Sequence, residues 1–209
     1  NGGTLPANMT TDGEYTAAYV AVSGNDADTD GLYNDTDGTS PSIASTDGDT
    51  LPDHLDLDSD SDGIPDIVEV NVADSNNDGR VDSFTDTDGD GLADALDSDN
   101  AGTASTIVNS DGDPIPLPDY RDIDSDNDGI PDVIEVGGND ANNDGLPANP
   151  TTDTDGDGWA DAFDSNNGGT ALTVVDIDGD GKFNFQDLDS DNDALNDILE
   201  TNGTDANGD

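Results

Sequence analysis

The stretch DIDSDNDGIPDVIEV, residues 122–136, places aspartates at alternate positions, then a glycine, and ends its acidic run on a glutamate. Two carboxylates ~5 Å apart repel one another by roughly 1 kcal/mol at high dielectric and by several if they are partly buried. Near-copies of the segment 123–135 occupy 57–69 and 188–200, so the copies are almost evenly spaced along the chain. A repulsive pattern that recurs in this way indicates a cation between the carboxylates.

The composition of the chain is strongly acidic. The 209 residues include 52 acidic and only 3 basic ones, for a formal net charge of -49. Only four of the acidic residues are glutamates, so aspartate, the shorter oxygen ligand, dominates. This charge excludes nucleic acid as a partner, because phosphate binding needs Lys and Arg. It also argues against binding to anionic membrane surfaces.

The chain is also poor in apolar side chains. Hydrophobic residues make up 30% of it, against a usual 45–50% that includes glycine. No window approaches the ~20 apolar residues of a membrane-spanning helix. Because there is no cysteine, disulfides cannot compensate for a small core. The fold therefore needs another source of stability.

The acidic stretch fits the EF-hand loop pattern D-x-[DN]-x-[DN]-G-x5-E. In that pattern positions 1, 3, 5, 7, 9 and 12 supply ligands, and the glycine at position 6 permits a sharp turn. Asp124 takes position 1, Gly129 position 6 and Glu135 position 12, while Asp122 closes the preceding loop. The run of aspartates thus straddles two adjacent cation sites. Three of the four glutamates in the chain fall at position 12 of such loops.

Seven loops match the pattern well, with position 7 contributing its backbone carbonyl. Three of them close on glutamate, with predicted ligands Asp58, Asp60, Asp62, Ile64, Asp66 and Glu69; Asp124, Asp126, Asp128, Ile130, Asp132 and Glu135; and Asp189, Asp191, Asp193, Leu195, Asp197 and Glu200. Four close on aspartate, with predicted ligands Asp26, Asp28, Asp30, Asn34 and Asp37; Asp86, Asp88, Asp90, Leu92, Asp94 and Asp97; Asp153, Asp155, Asp157, Trp159, Asp161 and Asp164; and Asp176, Asp178, Asp180, Lys182, Asn184 and Asp187. In the last glutamate-closed loop Ala194 replaces the glycine at position 6.

Weaker matches extend the set. Their predicted ligands are Asp47, Asp49, Asp53 and Asp56; Asp111, Asp113, Asp119 and Asp122; Asp74, Asn76, Asp78 and Asp82; Asp140, Asn142 and Asp144; and, at the end of the chain, Asp205, Asn207 and Asp209. The expected cofactor is Ca²⁺ at roughly seven to eleven sites, because oxygen-only sites of six or seven ligands suit this ion. Zinc or copper would want His or Cys. Residues such as Ser125 are interpreted as ligands or spacers, and no catalytic site is expected.

The loops resemble the type 3 repeats of thrombospondins, in particular the cysteine-free versions in bacterial surface and secreted proteins. The resemblance rests on DTDGDGLADALDSDNAG and DSDNDGIPDVIE and covers roughly the segment 26–209. It implies loops that wrap calcium ions in place of a hydrophobic core. The chain departs from the vertebrate repeats in having no cysteine, and the spacing of its glutamate-closed loops is more regular than that of a generic array. Dockerin modules share the loop but use a basic recognition face, which three basic residues cannot supply.

The expected fold is a mostly irregular, elongated, calcium-stabilised repeat array with short helical turns after the loops, little regular secondary structure and minor β-structure. Sparse apolar residues such as Trp159 and Phe163 are expected to pack between modules. The expected organisation is an N-terminal connector (1–25) with an apolar strand (14–23), three repeat units (26–69, 70–135 and 136–200) and the start of a next repeat (201–209).

Two classes of function remain open. The first is an extracellular structural protein, namely a stalk or adhesin segment or the subunit of a linear fibre, secreted or held at the cell surface. The alternative is an acidic calcium buffer or mineral-nucleating protein. No site suggests an enzyme. Three N-x-[ST] sequences, at Asn8, Asn34 and Asn202, allow glycans, although chance explains them in so Asn- and Thr-rich a chain.

The two ends of the chain look complementary. The final NGTDANGD matches the start of GGNDANNDGLPANPTTD (137–153), and GGTLPANMTTD (2–12) matches its second half. We therefore expect copies joined head to tail, a contact that does not close and builds filaments, or a longer chain with flanking domains. Ends that are accidents of trimming are the alternative.

Overall fold

The computed structural model describes residues 44–111, 117–148 and 152–204. Contacts divide the chain into a larger unit, Ala44–Thr85 with Leu92–Asp209, and a smaller one, Asn1–Ile43 with Asp86–Gly91. Several predicted features lie outside the described residues, namely the strand at 14–23, the first loop (26–37), Asp113, the sequences at Asn8 and Asn34, and the segment 205–209. The division into repeat units stays a prediction.

Regular secondary structure is scarce in the described residues, as the sequence predicts. There are three α-helices of four residues each: α1 (Asp66–Glu69), α2 (Asp132–Glu135) and α3 (Asp197–Glu200). Five 3₁₀ helices of three residues span Asp53–Leu55, Ser98–Asn100, Asp119–Arg121, Ser165–Asn167 and Asn184–Gln186. None of the described residues forms a β-strand.

Each α-helix is the closing half of a glutamate-closed loop. α1 and α2 begin directly after Pro65 and Pro131, whose extended backbone sets the direction of entry. Proline suits this place because the first helical turn does not need its missing N–H group. The helices stop after one turn because left-handed residues follow, Asn71, Gly137 and Asn202, with φ of 57°, 81° and 68°. Left-handed residues of this kind commonly end helices.

Two left-handed residues make each of these loops turn. At position 6, φ is 97° for Gly63, 96° for Gly129 and 76° for Ala194. Position 4 is also left-handed, at Ser61, Asn127 and Asn192. Glycine adopts this conformation without strain, whereas the Cβ atom of most other residues makes it unfavourable. The loop with Ala194 is therefore the most strained of the three at position 6.

The apolar core of the larger unit is small. Ile64, Val136 and Phe185 are buried together, and the rings of Phe183 and Phe185 stack with centroids 5.8 Å apart. Trp159 is fully buried, and its Nε1–H donates a hydrogen bond to the Gly63 carbonyl at 3.3 Å. These anchors lie far apart in sequence and hold separate loops against one another.

Buried acids outnumber buried hydrophobic residues. Among the described residues six hydrophobic side chains are buried, against ten acidic ones. The acidic set is Asp56, Asp58, Asp60, Asp62, Glu69, Asp97, Asp119, Asp126, Asp132 and Asp164. Buried charges are normally paired or coordinate metals, because an isolated carboxylate is costly to remove from water. The interior of this protein is therefore built around carboxylates, and apolar packing fills in around them.

We expect Gly129→Ala to lower the free energy of unfolding by about 1 kcal/mol, because alanine is strained at positive φ. The nearest atom to the added Cβ would be Ile198 Cδ1 at 3.7 Å, so crowding contributes nothing. Ala194→Gly is the matched reverse change and should stabilise by a similar amount. Urea unfolding at a fixed divalent-ion concentration measures both. A neutral Gly129→Ala together with a destabilising Ala194→Gly would contradict a left-handed position 6.

Candidate metal centres

A recurrent pair of hydrogen bonds between positions 2 and 9, here called the staple, closes the loops. The residue at position 2 donates both its backbone N–H and its hydroxyl to the aspartate at position 9, as Ser59 does to Asp66 at 2.7 Å for each bond. The same pair of bonds joins Ser125 to Asp132, Ser190 to Asp197, Thr154 to Asp161 and Thr46 to Asp53. Sequence reasoning missed this role of Ser and Thr, although their fixed spacing before an aspartate was a visible signal.

Backbone N–H groups orient the ligands at positions 1 and 5. In loop 58–69 the N–H of Gly63 donates to Asp58 Oδ2 at 3.1 Å, and that of Ile64 donates to Asp62 Oδ1 at 2.7 Å. Each bond occupies one oxygen of a carboxylate and turns the other inward. The position 6 to position 1 bond recurs at Asp74, Asp86, Asp124, Asp140, Asp153, Asp176 and Asp189.

Among the loops that the structure describes, loop 58–69 has the most deeply buried ligands. Asp58 Oδ1, Asp60 Oδ2, Asp62 Oδ2 and both oxygens of Glu69 are buried without a hydrogen-bond partner. Oxygens of the three aspartates lie within 4.8 Å of one another. Leaving one buried polar atom unsatisfied costs about 1–3 kcal/mol, and more if it is charged. Five such atoms from one loop form a ligand set that could hold a metal ion.

Loop 124–135 repeats this arrangement with somewhat more exposure. Asp126 Oδ2, Asp128 Oδ2 and both oxygens of Glu135 are again buried and unpartnered, and Asp124, Asp126 and Asp128 form a group within 4.8 Å. Loop 189–200 has the same local hydrogen bonds, but its Glu200 is exposed. The three glutamate-closed loops therefore share a backbone design and differ in how deeply their ligands are buried.

Adjacent loops are tied together by the side chain at position 4. Ser61 Oγ donates to Asp47 Oδ2 at 2.7 Å. The amide nitrogen of Asn127 donates to Asp111, and that of Asn192 to Asp178. In each pair the acceptor belongs to the loop directly before. The left-handed backbone at position 4 turns these side chains toward that neighbour, so consecutive loops form pairs that share the junction predicted at Asp122 and Asp124.

Other predicted ligands form similar groups. Asp47, Asp49 and Asp56 lie within 4.8 Å, as do Asp86, Asp88 and Asp90 in the smaller unit. In loop 153–164, by contrast, protein groups bond several carboxylates: Asn167 donates to Asp155 and Asp164, and Arg80 pairs with Asp157 at 2.8 Å.

All three basic residues of the chain form ion pairs. The other two pairs are Arg121 with Asp53 and Lys182 with Asp187.

Burial raises the pKa of the central carboxyls far above their ordinary values. It raises the pKa of Asp60 to about 8 and that of Asp126 to about 8, in both cases with a further contribution from neighbouring carboxylates. The pKa of Glu135 rises to about 11 for the same reasons. Burial likewise raises the pKa values of Asp58, Asp62 and Glu69, and the adjacent aspartates add to the shift. Without a cation Asp60, Asp126 and Glu135 therefore hold protons at neutral pH.

Comparisons with family models, with curated proteins and with solved structures give no match. Within the described ranges, no helix has the length and apolar character needed to cross a bilayer. The arrangement of the loops themselves is therefore the basis for a functional proposal. What they offer chemically is a set of oxygen-only centres able to bind metal ions.

We expect the stability of the ion-free protein to fall as the pH rises. Unfolded Asp and Glu titrate near 3.9 and 4.3, whereas the folded pKa is about 6 for Asp66, about 7 for Asp56 and about 8 for Asp60. The folded state therefore binds more protons, and the stability that this gives below pH ~4 is lost as the pH passes through the folded pKa values.

Urea unfolding of protein stripped of divalent ions, at pH 5, 6.5 and 8, measures this effect. The free energy of unfolding should drop by more than about 2 kcal/mol across the series, since one pKa unit is worth about 1.4 kcal/mol per group. The same series in excess divalent ion is the control, in which the drop should shrink or vanish. A stability that rises from pH 5 to pH 8 without ions would mean that the carboxyls are not buried as described.

Proposed function

We propose that this protein is an extracellular structural calcium-binding protein, a stalk or adhesin segment or the subunit of a linear fibre, rigidified by Ca²⁺. One observation carries the proposal: nine buried carboxylate oxygens without a hydrogen-bond partner, all from loops 58–69 and 124–135. Native proteins leave few buried polar atoms unsatisfied. Nine such oxygens in two short loops need a positive charge beside them. The three basic residues do not provide it, because they form ion pairs with other carboxylates.

Calcium is the ion that this ligand set suits best. The unpartnered atoms are all carboxylate oxygens, and Glu69 and Glu135 each present both oxygens at position 12, as bidentate calcium ligation requires. Mg²⁺ prefers a tighter octahedron and retains its waters. Zinc and copper prefer nitrogen or sulfur, yet the chain has no cysteine and its one histidine, His54, is exposed.

A structural role follows from where the ligands lie. Because the carboxylates occupy the interior that apolar side chains fill in other proteins, binding energy becomes folding energy. Extracellular loops of this kind need only dissociation constants of ~10⁻⁴–10⁻³ M, so the millimolar calcium outside cells would keep them loaded. This supports a secreted or cell-surface location. Partial neutralisation by calcium would still leave the protein acidic and soluble.

The sequence supports a linear assembly. The even spacing of the loop copies and the resemblance to thrombospondin type 3 repeats favour copies joined head to tail or flanking domains of a longer chain. Glycans would be compatible with such a surface. Asn202, in the one N-x-[ST] sequence within the described residues, is exposed.

A calcium buffer or mineral nucleator is the second candidate. It is favoured by exposed aspartates, such as Asp88 and Asp90 in the smaller unit and Asp191 and Asp193 near the described C-terminal end. Exposed sites of this kind would bind weakly and gradually. The structural proposal instead requires a saturable transition at the buried centres, so the shape of the calcium titration separates the two.

Calcium removal is the direct test of the structural proposal. Chelation at neutral pH should expand the chain and expose it to proteases, because the buried carboxyl oxygens then lose the ion that satisfies them and the apolar core is small. Hydrodynamic radius by light scattering and limited proteolysis, with and without calcium, measure the change. A radius that does not change after complete calcium removal would reject the structural role.

A matched pair of variants shows whether the buried centres cause the transition. Glu135→Gln removes a charge from a position whose two oxygens are buried and unpartnered, whereas Glu200→Gln makes the same change at an exposed position 12. The first should raise the calcium midpoint of compaction by about tenfold or more, equivalent to at least ~1.4 kcal/mol. The second should raise it by much less, and equal shifts would favour the gradual binding of a buffer.

A further inference from the structure

Asp132 lies beside the candidate metal centre of a different loop. Sequence reasoning places it at position 9 of loop 124–135. In the structure one of its carboxylate oxygens lies within 4.8 Å of oxygens from Asp62 and Glu69, which belong to loop 58–69. All three side chains are completely buried. Asp62 Oδ2 and both oxygens of Glu69 lack hydrogen-bond partners, so Asp132 lies next to carboxylates that have unsatisfied oxygens.

Ser125 holds Asp132 in this position. The backbone N–H of Ser125 donates to Asp132 Oδ1 at 2.8 Å, and its hydroxyl donates to Oδ2 at 2.6 Å. Each carboxylate oxygen can accept more than one bond, so both keep a lone pair for a cation. The staple therefore fixes the rotamer of Asp132 without using up its capacity as a ligand.

The next pair of loops shows a related arrangement. Asp197, the position 9 residue of loop 189–200, lines one cavity together with Glu135, and Ile134 and Ser190 contribute to its wall. Ser190 holds Asp197 through the same two bonds that fix Asp132. A position 9 aspartate thus approaches the glutamate of the preceding glutamate-closed loop twice, at nearly the same separation along the sequence.

We propose that the cation bound by loop 58–69 takes Asp132 of the following glutamate-closed loop as a ligand, so that the site is completed only when the second loop folds against the first. This inference rests on the proposed calcium-binding function. It goes beyond that function by assigning one ligand across the repeat boundary. The consequence is that neighbouring repeats are joined through a shared ion as well as through apolar contacts.

Trp159 supplies a local reporter for this site. It is the single tryptophan of the chain, it is fully buried, and its Nε1–H bonds to the carbonyl of Gly63, at position 6 of loop 58–69. Occupancy of that loop should therefore change the fluorescence of Trp159. Calcium titrations of the full chain, followed by this signal, report on loop 58–69 and on loop 153–164, which contains Trp159, rather than on the average of all centres.

Asp132→Asn is the decisive variant. It keeps the size of the side chain and an acceptor for the Ser125 N–H group, but it removes the charge. We expect the half-saturating calcium concentration of the Trp159 signal to rise about tenfold or more. Asp197→Asn is the matched control, with the same staple and the same loop position beside a different centre, and it should shift the Trp159 midpoint by less than about twofold.

Each outcome decides between the possibilities. If Asp132→Asn shifts the Trp159 midpoint no more than Asp197→Asn does, Asp132 is not a ligand of the cation bound by loop 58–69. If the wild-type chain binds no calcium and the Trp159 signal does not respond, the proposed function itself fails. If Asp132→Asn does not regain the wild-type spectrum in excess calcium, Ser125→Ala decides instead. That variant keeps every carboxylate, and it should raise the midpoint by about two- to threefold; an unchanged midpoint would overturn the proposal.

Discussion

The structure depends on the electrostatic cost of carboxylates gathered inside a protein. Asp58, Asp60, Asp62 and Glu69 are almost completely buried, and each keeps at least one oxygen that no protein group satisfies. Burial raises the pKa of each of these carboxyls, that of Asp60 to about 8, so without a counter-charge burial favours their protonated forms. A divalent cation reverses this electrostatic cost, because each carboxylate is then attracted to the ion at the centre of the group.

Local hydrogen bonds fix the conformation of the loops without the help of an ion. The staple between positions 2 and 9 and the bond from the position 6 N–H to the position 1 carboxylate fix each loop internally. Left-handed residues then bring the chain back on itself within a few residues. The apolar anchors, chiefly Trp159, Phe185 and Ile64, contribute a second kind of contact by holding distant loops together. Neither set of contacts satisfies the central oxygens.

Spacing along the sequence predicts the local part of this description well. The positions of Asp124, Asp126, Asp128 and Glu135 follow from a short loop pattern whose geometry depends on neighbouring residues alone. The short helix that closes each glutamate-closed loop, and the scarcity of other regular structure in the described residues, follow in the same way. The staple also obeys a fixed local spacing, so Ser125 could have been identified by asking which donors stand at position 2 when position 9 is an aspartate.

Sequence alone does not predict which centres are buried. Glu69 and Glu200 occupy the same loop position, yet the first is completely buried and the second is exposed. The difference arises from packing between residues far apart in the chain, such as Trp159 on Gly63 and Gln186 on the carbonyl of Glu69. The approach of Asp132 to Glu69 is a long-range contact of the same kind. A sequence pattern within one loop carries no information about contacts between loops.

We propose that a cation satisfies the buried oxygens of loop 58–69. A crystal structure determined with calcium, with anomalous scattering data to identify the ion, tests it most directly. We expect an ion about 2.3–2.6 Å from its ligands, bound by Asp58 Oδ1, Asp60 Oδ2, Asp62 Oδ2 and both oxygens of Glu69. A folded chain in which these oxygens are instead protonated or bridged by water, with no ion among them at saturating calcium, would contradict it.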